Sequence, residues 1–170
     1  WWRSVGHSHT AYAMESLMDM AAIAADKDPV EFRLAHLDMS DPDQARFAGV
    51  LKLAAEKAGW GSDIGEKRGR GIAVHKAFST YVAEVVEVSV SDTGKISIDK
   101  VVCAVDCGIA VNPDVIRAQM EGGIGYGLGA VMRNQITMTD GVVDQLNFPQ
   151  YEPLRMRDMP DVAVHIVQST

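Results

Sequence analysis

The stretch from Val101 to Gly129 limits the possible folds most sharply. Val101 to Val105 is apolar on both faces, the pattern of a strand covered on both sides of its sheet. It ends at Asp106, and Gly108 supplies a tight turn. Asn112 can cap a helix whose first position is Pro113, where a missing N–H costs nothing. That helix then carries Gln119 and the glycines Gly122, Gly123, Gly125, Gly127 and Gly129. Each glycine in a helix interior costs about 1 kcal/mol relative to alanine. So dense a run calls for close approach by another backbone or by a bulky ligand, and function is sought there.

Upstream the pattern is helical. Trp1 to His9 has no periodicity and reads as a loop, followed from Thr10 by a helix with Met14, Leu17, Met18, Ala21 and Ala25 on one face. Asp28, Pro29 and Glu31 are an N-cap, a first-turn proline and a capping-box glutamate, predicting a short helix to about Asp38. Ser40-Asp41-Pro42 opens a third helix with a stripe of Phe47, Val50, Leu51, Ala54 and Ala58. From Gly59 to Gly71 glycines alternate with basic residues, which reads as a linker.

Beyond the linker strands dominate. Gly71 to Phe78 is one, and Tyr81 to Val90 is expected to pair with Lys95 to Val105 through a Ser91-Asp92-Thr93-Gly94 turn. Thr139-Asp140-Gly141 is a second hairpin signal, and Val162 to Val167 is a last strand. The predicted class is α+β. A helical part (1–58) and a glycine-rich linker (59–71) lead to an α+β part (72–170), whose mixed or antiparallel sheet is packed by the glycine-bearing helix.

At 170 residues the chain can bury one real core, and its net charge of -7 argues against a nucleic-acid backbone as main partner. No apolar run reaches the roughly 18 residues of a membrane span. On an extended strand Cys103 and Cys107 would stand about 13 Å apart, too far for a local bridge, and they read as packing residues. The chain begins Trp1-Trp2-Arg3 without an initiator methionine or signal pattern, so a piece of something longer is expected.

Several motifs invite chemistry. The glycines from Gly123 to Gly129 lie inside a helix, not between strand and helix, so they fail as a dinucleotide fingerprint. His7-Ser8-His9 lacks a third metal ligand nearby and reads as a polar loop. Glu84 interrupts the apolar face formed by Val82, Val86, Val88 and Val90, and is expected to be paired or at a sheet edge. Gln119 is either a solvated amide or one that offers donor and acceptor to a heterocycle or phosphate. There is no nucleophile elbow and no Walker loop.

Taken together, several stretches resemble the molybdenum-binding large (beta) subunit of the xanthine dehydrogenase and aldehyde oxidase family, most closely the isoquinoline 1-oxidoreductase type. They are Trp2-Arg3-Ser4-Val5-Gly6, Asp28 to Arg33, Ala54 to Trp60, Arg70 to His75, Asp106-Cys107-Gly108 with Val111-Asn112-Pro113, Gln119 to Gly123, Asn147-Phe148, and Leu154-Arg155-Met156. The resemblance covers nearly the whole chain in order.

It implies a molybdenum held by the dithiolene of a pterin, in the cytosine dinucleotide form. It implies oxidation of an N-heterocycle or aldehyde with water as oxygen source, electrons leaving through 2Fe-2S clusters on a separate small subunit. Trp2 and Arg3 match the loop beside the metal, and Ser4 and Val5 stand where the wider family has Gly and Phe. Gln119 matches the glutamine that contacts the pterin. The implied cofactor-binding set is Trp2, Arg3, Gly6, Gln119, Gly122 and Gly123, with no catalytic residue and no direct metal ligand.

The family's general-base glutamate belongs to a Gly-Glu-Pro motif, which would fall after Thr170. The remainder of the large subunit and the small 2Fe-2S subunit are the implied partners, and the isolated chain is expected to be inactive and free of stoichiometric molybdenum. The alternative is a non-catalytic structural or interaction module of the same descent. Compartment stays open between bacterial cytoplasm and periplasm.

Overall fold

Side-chain caps set three of the four α-helices among the residues described, 1–169, in a computed structural model of the chain. Asp28 accepts from the amides of Val30 and Glu31 and starts α2 (Pro29–Ala35). Asp41 accepts from Asp43 N and starts α3 (Pro42–Ala58), which ends on left-handed Gly59. Asn112 accepts from Asp114 N and Val115 N and starts α4 (Pro113–Met132). In each the cap precedes a proline at the helix start, as the sequence predicts. The second helix stops three residues short of its expected end at Asp38, with His36 as C-cap.

The first helix departs from expectation. α1 spans His7–Ala24, so His7, Ser8 and His9 lie in its first turn and not in a loop. Gly6 at its start makes no side-chain cap bond, so the sequence carries no start signal. The helix is also turned inside out. Glu15 and Asp19 face inward and hold buried Arg33, at 3.0 and 2.8 Å. The expected apolar face is not the packed one, for Met14 and Leu17 lie exposed beside Tyr12, Met20 and Ile23.

The main sheet has the order β1-β2-β3-β6, from β1 (Arg68–Ala77), β2 (Thr80–Val90), β3 (Ile96–Asp106) and β6 (Asp161–Ile166). The predicted hairpin forms, with Tyr81 opposite Asp106 and Val90 opposite Ile96. β6 pairs with β3 in parallel, which makes the sheet mixed. β4 (Met138–Thr139) and β5 (Val142–Val143) make the short second hairpin, with Asp140 and Gly141 both at positive φ.

One boundary needs correction. The end of the supposed linker belongs to β1, because Arg70 pairs with Glu87 on β2 at 2.9 Å and Arg68 with Asp99 on β3 at 3.0 Å. Cross-strand ion pairs there supply what a Gly-Arg repeat lacks in apolar packing.

Helices cover both faces of the sheet. On one, α3 lays Val50, Leu51, Ala54 and Ala58 against Ile72, Val74, Tyr81, Ala83, Val85, Val102 and Ala104. On the other, Ile124, Met120 and Leu128 of α4 pack on Val101, Cys103, Val162 and Val164. α1 lies along the outer edge of β1, where Glu15 Oε2 accepts from Val74 N at 2.7 Å.

Candidate functional site

The candidate site is built on the outer stripe of α4. Residues three, four and seven apart share a helix face. Met120, Ile124 and Leu128 point into the core, so Gln119, Gly122, Gly123 and Tyr126 point away from it, and all four are exposed.

The N-terminal segment crosses this stripe. Arg3 Nη2 donates to Gln119 Oε1, joining residues 116 apart in sequence. The Trp2 ring meets the Tyr126 ring edge-on, with centroids 5.5 Å apart and planes at 74°. Gln119 and Tyr126 lie two turns apart, about 10 Å along the axis. Arg3 and Trp2 therefore bracket Gly122 and Gly123, and a Cβ built on either glycine would meet nothing within 4 Å.

The glycine run divides by function. Gly125 faces Met159 Sδ at 3.4 Å and Gly129 faces Leu154 N at 3.5 Å, so these two make room for the chain that leads into β6. Gly122, Gly123 and Gly127 have open space beside them. The expected close approach thus accounts for part of the run. The rest leaves an uncovered strip of helix backbone.

The segment that carries Trp2 and Arg3 is strained and tied down. Val5 has φ 51°, a left-handed backbone that a β-branched residue rarely adopts, and its amide donates to Trp2 O at 3.0 Å. Gly6 follows, with the His9 ring 4.0 Å from where its Cβ would lie. Next, His7 Nδ1 lies 2.8 Å from His75 Nε2 on β1, and the His7 ring also packs edge-on against Phe78 at 5.3 Å. No sequence signal points to His75 as a partner. Tyr126 could have been found from its spacing of seven from Gln119.

On the other side of Gln119 the helix start is held by Asp106. Its buried carboxylate takes a two-pronged bond from Arg46 on α3, at 2.9 and 2.7 Å. It also accepts from Ser169 Oγ at 2.6 Å and Gly108 N at 3.1 Å. The Arg46 bond, above all, holds its carboxyl well below the usual range. The Gly108 turn that precedes α4 is thereby fixed to the α3 layer.

Glu84 is neither paired nor at an edge, against expectation. It lies on the central strand β2, opposite Ala73 and Cys103, where no hydrogen bond among the described residues offsets burial. Desolvation pushes its carboxyl up to about 6. Part of it opens into a groove of about 380 Å³ between α1 and the sheet, shared with Tyr12, Glu15, Asp19, His75 and Val82. Burial, with Glu84 beside it, pushes the Cys103 thiol up, so Cys103 is an inert packing residue. Cys107 is only half-buried, and both cysteines are free.

Among the described residues no three His, Cys, Asp or Glu side chains gather as a metal cage. A guanidinium, an amide, an indole and bare helix backbone are what the site offers. That set suits a bulky, heteroatom-rich ligand which brings its own metal ligands, as a dithiolene pterin does.

Comparison with known proteins gives the family. Residues 10–160 match the profile of the molybdopterin cofactor-binding domain. The isoquinoline 1-oxidoreductase beta subunit of Brevundimonas diminuta is 36% identical over 171 residues, covering 98% of this chain and 21% of that protein. A nicotinate dehydrogenase subunit of Pseudomonas putida is 31% identical, covering 96% of this chain and 15% of that protein. The chain thus spans about a fifth or less of the length of these relatives. Quinoline 2-oxidoreductase from Pseudomonas putida 86 shares the fold over 53% of this chain and 12% of its own, with a TM-score of 0.50 and 20% identity. With a profile match over most of its length, the chain belongs to the molybdopterin cofactor-binding domain family, in the molybdenum-binding subunits of the xanthine dehydrogenase type.

Proposed function

We propose that this chain forms one wall of a molybdopterin site in a molybdenum hydroxylase that oxidises an N-heterocycle or an aldehyde with water as oxygen source. The observation that carries this is the Arg3–Gln119 contact, set beside the bare backbone of Gly122 and Gly123. Two residues far apart in sequence meet where the helix has been stripped of side chains. Names of relatives support the substrate class, since isoquinoline and nicotinate are both N-heterocycles.

The wall's residues have separable tasks. Gln119 accepts from Arg3 through its carbonyl, which leaves its NH2 free to donate to a ring nitrogen or carbonyl of the pterin. Arg3 has further N–H donors, and its fixed charge suits a pyrophosphate or other anionic part. Gly122 and Gly123 let a flat ring system approach the helix backbone, and Trp2 with Tyr126 closes one end with apolar surface. Gly6, in ordinary helical backbone, leads the loop into α1. Bound molybdopterin would supply the redox-active metal that accepts the electrons of substrate oxidation. We assign the cytosine dinucleotide form to the cofactor, and a small 2Fe-2S subunit and the remainder of a large subunit to the partners. A positioned general base must come from outside these residues. The isolated chain should therefore be inactive.

The test is Gln119→Ala in the full-length protein, with molybdenum and pterin measured per polypeptide. Removing the amide leaves polar groups of the buried cofactor unpaired, costing about 1–3 kcal/mol of retention. Lower occupancy or faster loss on dilution, at unchanged thermal stability, is expected. Occupancy equal to wild type would refute the assignment.

A further inference from the structure

We propose that the His7–His75 imidazole pair is a pH-sensitive latch that holds the Trp2–Arg3 segment over α4. The latch deepens the cofactor-site reading above and rests on it only for its consequence. The pair itself is geometric. His7 Nδ1 and His75 Nε2 stand 2.8 Å apart, so one nitrogen carries the proton and the other accepts through its lone pair. If both rings are protonated, two N–H groups and two positive charges face each other, and the bond is lost.

The surroundings favour neutrality. His7 opens α1 and sits in its first turn. Burial and the neighbouring His7 lower the proton affinity of His75. Phe78 packs on His7 from the end of the hairpin, and Val82 lies directly across from His75 on β2. The titratable groups that face the pair are Glu84, diagonal to His75 on β2, and Glu15 and Asp19 from α1. Glu15 and Asp19 are engaged by Arg33. Glu84 takes up its own proton as pH falls through about 6, so it cannot hold an imidazolium there.

The sign follows from linkage. In a released segment His75 has the proton affinity of an ordinary imidazole, whereas in the latch its affinity is lowered. The latch is closed above about pH 6.5, keeps its bond while only one ring is protonated, and weakens as falling pH drives the second proton onto the pair. Its load is the segment with strained Val5, tied at its far end by Arg3 to Gln119. Opening the His7 end lets that strain relax and loosens Arg3 over the glycine strip.

Three measurements on the full-length protein test this. Histidine C2–H deuterium exchange, read by mass spectrometry, gives proton affinities for His7 and His75 separately. His75 should titrate below an ordinary imidazole, because burial and the neighbouring His7 disfavour its charged form. Amide hydrogen exchange of residues 2–10 should speed up between pH 7.5 and 5, after correction for intrinsic rate. Cofactor loss on dilution should rise about tenfold over the same range, a change worth about 1.4 kcal/mol. In His75→Gln the amide can accept from His7 whether or not His7 is charged, so both pH dependences should flatten. Ordinary titration of His75, or an identical pH profile in His75→Gln, would overturn the latch. Protein that never contains pterin refutes the cofactor reading alone, because the two exchange measurements still decide the latch.

Discussion

The two faces of one sheet have been treated in opposite ways. Beneath α3 the packing is dry and closed, with Val50, Leu51, Ala54, Ala83, Val85 and Ala104 all fully buried. Across the sheet, α4 buries Ile124 and Gly129 but leaves Gln119, Gly122, Gly123 and Tyr126 in the open, and beside it Glu84 sits on an apolar strand with no partner among the described residues. The first face obeys every rule for stability. The second breaks several, and those on α4 lie at the Trp2–Arg3 segment. Local inconsistency of this kind marks where a fold has been shaped for something other than its own stability.

The sharpest way to break this comparison is to substitute on the closed face. Leu51→Ala should destabilise by about 2–5 kcal/mol in urea unfolding, because the removed methyl groups leave a cavity in a packed layer. A loss below about 1 kcal/mol would mean that the face is looser than its burial implies.

Glu84→Gln on the open face should act with the opposite sign. The native carboxyl holds its proton up to about pH 6, so its charged form is the destabilising one. Relative to wild type the variant should gain up to about 2 kcal/mol above pH 6, and close to nothing below about pH 4.5. The figure is an upper limit, since part of the side chain opens to the groove. Thermal melts at pH 7.5 and pH 4.5 would show the gain, and a variant less stable at pH 7.5 would show that Glu84 has a hidden partner.

The smallest effect separates the glycines from one another. Gly122→Ala should raise stability by about 0.5–1 kcal/mol through helix propensity, because its Cβ enters open space. The same change should lower pterin content, since it fills the strip where a flat ligand would lie. Gains in both quantities would remove Gly122 from the site.

Local chemistry is legible in the sequence. Asp28, Asp41 and Asn112 announce their helices because a cap is a contact within three residues. The hairpin turns are equally local. The apolar periodicity of α1 marks the wrong face as inward, because Glu15 and Asp19 go inside once Arg33 from α2 neutralises them. No local pattern announces a partner that distant. The parallel pairing of β6 on β3 and the meeting of Arg3 with Gln119 have the same origin in long-range contact. Only the resemblance to a known family groups Arg3 and Gln119 from sequence, and it passes over Tyr126, the His7–His75 contact and the Asp106–Arg46 bond.

One hydrogen bond made by α1 bears on how these molecules behave toward each other. β1 is an outermost strand, and the amide of Val74 points away from the sheet, where Glu15 takes it. An outermost strand with free amides is a template for a strand from a neighbouring molecule, the first step toward ordered aggregates. Docking of α1 places a carboxylate, tied to Arg33, in the middle of that template. While α1 is undocked during synthesis, the edge is open. Crowding of nascent chains should therefore be most hazardous before the first helix folds back onto a sheet whose β1 is translated well after it.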